Sequence, residues 1–104
     1  MGMLEEIRTA RQAHEALRSS PPARATLAQK ADHYGAVKSV LDRLWEAADR
    51  SGATAPAADV RRSIRRLTAD AEYYAGLSDA EGFRDPAEVT AEYDLLERAF
   101  AGAG

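Results

Sequence analysis

The 104-residue chain contains no cysteine. That absence removes disulfides, thiolate metal sites and cysteine nucleophiles together, and it fits a reducing compartment. Histidine is nearly as scarce, with only His14 and His33. Neither has a carboxylate three residues before it, as the ligands of di-iron bundles do. His14-Glu15-Ala16-Leu17-Arg18 begins like a zinc-protease motif but carries Arg where the second imidazole belongs. No metal and no cofactor is therefore expected. His14 on an apolar face reads instead as a hydrogen-bonded interior or interface residue.

No glycine-rich phosphate loop is present, and none of the six serines lies in a Gly-x-Ser-x-Gly setting. The carboxylates sit on charged faces with nothing to enclose them, and they read as solvated or paired with neighbouring turns. No catalytic residue is expected, and the chain is not expected to be an enzyme. No run approaches the roughly 20 apolar residues of a membrane span. The start, Met1-Gly2-Met3-Leu4-Glu5-Glu6, is acidic where a signal peptide is basic and then apolar. Glu6 also stands where a myristoylation signal needs Ser or Thr. A cytoplasmic protein without a membrane partner is the expectation.

What is present favours helix. Alanine is abundant, and the large aliphatic set is nine Leu against two Ile and four Val. Ala and Leu lose little side-chain freedom in a helix. No stretch alternates like a strand, and no hairpin turn pair appears. Four segments carry apolar residues at helical spacing. The first, about 3–19, has Met3, Ile7, Ala10, His14 and Leu17 on one face. Ser19-Ser20-Pro21-Pro22 ends it, because the proline pair cannot extend the hydrogen-bond ladder.

The second helix is expected over about 22–50, with the stripe Leu27, Ala31, Tyr34, Val37, Leu41, Leu44, Trp45 and Ala48 and a stop at Ser51-Gly52. It would be about 42 Å long against about 26 Å for the first. Gly35 lies in its middle, which suggests close approach of a neighbouring backbone. The third, about 56–75, carries Val60, Ile64, Leu67, Ala71 and Tyr74 and stops at Gly76. Ser78-Asp79-Ala80-Glu81 suits a single capped turn before Gly82, with Phe83 tucked onto the bundle. The fourth, about 86–101, opens on Asp85-Pro86-Ala87-Glu88: N-cap, proline at the first helical position, carboxylate at the third. Val89, Tyr93, Leu96 and Phe100 form its stripe.

Short linkers between such helices predict a single all-α domain over 1–104, an up-down antiparallel bundle of three to four helices with one overlong helix. Neither neighbour covers that helix, so an oligomer is expected to bury the remainder. Val40, Tyr73 and Leu95 point off their stripes and broaden the apolar faces, and with Tyr34 and Trp45 they are the candidate interface.

The formal net charge of −3 is unevenly spread. Arg61, Arg62, Arg65 and Arg66 share the arc opposite Val60, Ile64 and Leu67, and nine of the seventeen acids follow residue 68. Arginine forks match phosphate oxygens, so a nucleic-acid-associated regulator is one reading of this patch. The favoured one is an acidic partner, because Asp85, Glu88, Glu92, Asp94 and Glu97 supply a complementary helix in this chain or a second copy. Twelve arginines against two lysines also resemble the codon bias of a GC-rich bacterial genome.

Tyr93-Asp94-Leu95-Leu96-Glu97 resembles the Tyr-x-x-x-Asp/Glu tail signal of the small helical substrates of type VII secretion. The resemblance covers five residues. The Trp-x-Gly turn of those proteins has no counterpart, since Glu46-Ala47 follow Trp45, and membership is not assigned. The function expected from the whole pattern is non-enzymatic: a helical interaction or assembly protein, acting with itself or as a subunit of a larger complex.

Overall fold

A computed structural model describes residues 2–19, 27–48, 56–78, 82–83 and 85–101. Four helices pack together, and no strand occurs among the described residues: α1 (Met3–Ser19), α2 (Leu27–Ala47), α3 (Ala57–Tyr74) and α4 (Pro86–Phe100). The local signals that bound α3 and α4 act as their chemistry requires. Asp85 accepts a hydrogen bond from the Ala87 N–H at 2.9 Å, and Pro86 occupies the first turn without a missed donor. Gly76 ends α3 at φ +79°, the left-handed region. The Leu77 N–H then reaches back to the Glu72 carbonyl at 2.9 Å and that of Gly76 to the Tyr73 carbonyl at 3.1 Å, the paired bonds of a Schellman stop.

α1 packs on α2, α3 and α4, and α3 packs on α2 and α4. Ion pairs mark the seams. Glu6 near the start of α1 meets Arg43 near the end of α2 at 2.7 Å. Arg8 and Arg11 of α1 meet Glu97 of α4, and Arg11 also meets Asp94. Arg66 of α3 meets Glu92 of α4 at 2.7 Å. The apolar stripes converge within: Ile7, Leu17, Val37, Leu41, Leu44, Val60, Leu67 and Leu96 are all buried. Met3, Trp45, Tyr74, Phe83 and Leu95 pack around their rim.

Two expectations need restating. α2 is described over 21 residues; 22–26 and 49–50, which would make it overlong, lie outside the described residues, as do Pro21, Ser51 and Gly52. Among its described side chains, the buried ones fall in its second half, beginning at Val37. Residues 28–36 include none, and Ala31, placed on the stripe by its spacing, is exposed. Gly35 does not serve the close approach expected of it. A Cβ there would meet nothing within 4 Å, so the chain's own packing does not account for the glycine.

Candidate functional site

Among the described residues the bundle interior holds a polar cluster spanning three helices and the segment before α4. His14 and Asp70 are both fully buried, with the Tyr93 hydroxyl beside them. His14 Nε2 lies 2.6 Å from Asp70 Oδ2, and His14 Nδ1 lies 2.7 Å from the Tyr93 hydroxyl. Asp70 Oδ1 accepts from Arg18 Nη1 at 2.6 Å and from the Phe83 backbone N–H at 2.7 Å. Arg18 also donates to the Phe83 carbonyl at 3.2 Å, and its guanidinium lies 4.5 Å from the Tyr74 ring centre. With the His14 proton assigned to Nε2, every one of these groups is satisfied: Nε2–H donates to Asp70, and Nδ1 accepts from Tyr93 O–H.

The electrostatics follow from that geometry. Burial works to raise the Asp70 pKa, but the hydrogen bonds from His14, Arg18 and the Phe83 amide, with the Arg18 charge, outweigh it and hold the carboxyl below its ordinary value. The Tyr93 hydroxyl is pushed strongly upward, first by burial and then by the Asp70 charge. It stays protonated throughout the range in which proteins are handled.

Backbone shape belongs to the same arrangement. A Cβ on Gly82 would stand 2.2 Å from Asp70 Oδ1 and 3.2 Å from the Asp70 Cα. Only glycine lets the chain pass so close that the next amide, on Phe83, points into the carboxylate. The polar atoms of the cluster are spent on one another, and its effect is to fix the register of α1, α3 and α4. A slip of any of them would leave buried donors unpaired, at about 1–3 kcal/mol each.

His14 falls on the buried face of α1, as its spacing places it. Asp70 and Arg18 were not picked out from sequence. The available signal was positional: Asp70 stands three residues after Leu67 and beside Ala71, both on the apolar stripe, so an acid was bound to enter the core near a buried histidine. Among the described residues, no group of three or more His, Asp or Glu side chains is arranged to hold a metal ion.

The candidate interface residues separate. Val40, expected off its helix's stripe, is a core residue at 5% exposed, because α2 packs against both α1 and α3 and so buries a wider arc. Leu95 and Tyr34 are half-buried. Burial, followed by the charge of Glu72, raises the Tyr34 pKa, which places Tyr34 beside the last turns of α3. Tyr73, in that same part of α3, is exposed at 38% and packs edge-on against Tyr74. Just beyond it Leu77 is 64% exposed.

The four arginines also divide. Arg61 and Arg65 lie over the Trp45 ring, 5.2 and 5.0 Å from its centre, and Arg61 donates to the Trp45 carbonyl at 3.1 Å. Arg62 stands 3.7 Å from Asp59. Arg66 pairs with Glu92 and covers the Phe83 ring at 4.9 Å. An open groove of about 390 Å³ runs between α2 and α3, with Trp45 and Ile64 at one end and Lys38 and Glu72 at the other. Tyr93, the first residue of the tail-like pattern, is fully buried against His14, so that pattern is not presented at the surface.

No helix is long and apolar enough among the described residues to cross a membrane. No protein-family model, curated protein or solved structure matches the chain.

Proposed function

We propose that this chain is a non-enzymatic, cytoplasmic assembly protein, an up-down antiparallel four-helix bundle that joins itself or another subunit through its α2–α3 side. The observation that carries the reading is uncovered apolar surface at one end of that side. Residues 28–36 of α2 contribute nothing buried, while Tyr73 and Leu77, the two large apolar side chains most exposed among the described residues, lie at the C-terminal end of α3. Large apolar side chains left exposed together at the end of a small domain support a contact surface there. The seams Glu6–Arg43, Arg11–Asp94 and Arg66–Glu92 support the antiparallel order, since each joins residues that such a bundle brings level.

The arginine face favours a protein partner over phosphate. Two of its guanidinium groups are laid on Trp45 and two face carboxylates of the chain. Light scattering from micromolar to millimolar concentration, with affinity capture at native expression level, tests the proposal. A stable oligomer or a stoichiometric partner is expected. A monomer throughout, with no partner of fixed stoichiometry, refutes it.

A further inference from the structure

We infer that the partner on the α2–α3 side is a second copy of this chain, docked about a twofold axis that passes beside Thr68 and Ala69 of α3; the inference rests on the assembly reading and gives it a surface and a register. Arg65 and Glu72 both line the α2–α3 groove; Arg65 lies over the Trp45 ring and Glu72 faces Lys38, and neither forms an ion pair within 4.0 Å among the described residues. They stand seven positions apart, close to two helical turns or about 10.5 Å, on one face of α3. Thr68 and Ala69 lie midway between them and line the same groove. Ala69 is exposed and small, so a second helix is able to approach closely there.

Those facts select an orientation. If two copies of α3 cross antiparallel at Thr68–Ala69, Arg65 of each copy faces Glu72 of the other, and the pair forms twice. A parallel arrangement would set Arg65 against Arg65 and Glu72 against Glu72. Opposite charges placed symmetrically about a small residue are self-complementary in one direction alone, as an isologous contact requires. Lys38 and Asp42 of α2, which line the groove opposite, are paired with each other, so the rim adds no net charge to oppose the docking.

Trp45 is the sole tryptophan, so its fluorescence reports directly on occupation of the groove. Sedimentation equilibrium, with Trp45 emission followed on dilution, is the experiment. The protein as it stands should form a dimer whose dissociation shifts Trp45 emission. Arg65→Glu and Glu72→Arg should each weaken the dimer at least tenfold.

The decisive arm mixes the two charge variants. Arg65→Glu presents two acids and Glu72→Arg two bases, so an equimolar mixture should give a heterodimer, and the double variant R65E/E72R should recover the homodimer. Circular dichroism melts confirm that the variants fold, as both side chains border an open groove rather than the core. A wild-type monomer up to millimolar concentration overturns the inference and leaves only a different subunit as partner. A wild-type dimer indifferent to both charge reversals also overturns it, placing the contact on another face while the assembly reading stands.

Discussion

Replacing Asp70 tests the central structural argument, because that carboxylate terminates hydrogen bonds from three groups, two on α1 and one on the segment before α4. Asp70→Ala leaves His14 Nε2, the Phe83 amide and Arg18 without their acceptor. Arg18 retains a side-chain exposure of 11%, so water recovers part of its hydration; the other two donors are recovered less easily. Removing one partner of a buried charge pair costs about 3–5 kcal/mol. For a domain of this size that corresponds to a fall in Tm of roughly 15–25 °C, a large fraction of a total stability of about 5–15 kcal/mol.

Asp70→Asn is the sharper probe. Its oxygen still serves Arg18 and Phe83, but its amide group now faces the His14 Nε2–H donor. The imidazole must move its proton to Nδ1, the Tyr93 hydroxyl must turn from donor to acceptor, and its own proton loses its place. Tyr93→Phe should therefore cost about 1 kcal/mol less in the Asp70→Asn background than in the wild type, although Asp70 and Tyr93 do not touch. Thermal and urea melts of the four proteins measure this coupling. Strict additivity, or an Asp70→Ala variant melting within 3 °C of wild type (well under about 1 kcal/mol), would refute the account of the cluster.

The pH dependence has a definite sign: the folded Asp70 pKa is depressed, so its contribution is fully present above the unfolded value near ~3.9 and is lost as pH falls below it. The gap between wild type and Asp70→Asn should hold steady from pH 5 to 7 and shrink below pH 4.

At the alkaline end the raised Tyr93 pKa acts in the opposite sense. Its stabilising effect is present below the unfolded value near ~10 and declines above it, so phenolate absorbance from Tyr93 should appear only as helical signal is lost. Tyr93→Phe should remove that cooperative step, and a Tyr93 signal that titrates while the helices persist would contradict the burial argument. The two contrasting glycines should respond oppositely. Gly82→Ala should destabilise by about 1–3 kcal/mol because a tightly held carboxylate blocks the new methyl, whereas Gly35→Ala should stabilise the helix by about 0.5–1 kcal/mol because the space is open. Denaturant melts that reverse this order would overturn both assignments. Leu67→Asp or Leu41→Asp places an unpaired charge at a fully buried site and should abolish cooperative melting; a retained sharp transition would show the faces misassigned.

The helices were legible because their causes are local. The apolar spacing of Ile7, Ala10, His14 and Leu17 needs only the pitch of a helix to define a face. Asp85-Pro86 needs only the unpaired amides of a first turn, and Gly76 only a backbone that tolerates positive φ. His14 on an apolar face also announced a buried partner, without naming it.

What the linear pattern did not contain was which residues face each other. Asp70 lies 56 positions from His14, and Tyr93 lies 79. The place of Asp70 after Leu67 and beside Ala71 turns it inward, but nothing in its own neighbourhood says which buried group it meets. Gly82 has the look of an ordinary turn residue until Asp70 is seen against it. Val40 became core, and Gly35 lost its expected neighbour, for the same reason: a helix's period fixes the angle between its side chains, while the number and placement of the helices beside it decide how wide an arc is covered. Periodicity by itself therefore determined that this chain is a set of amphipathic helices. Only packing decided which polar groups were sealed together inside and which apolar ones stayed at the surface, because those depend on distances between elements that no local rule sets.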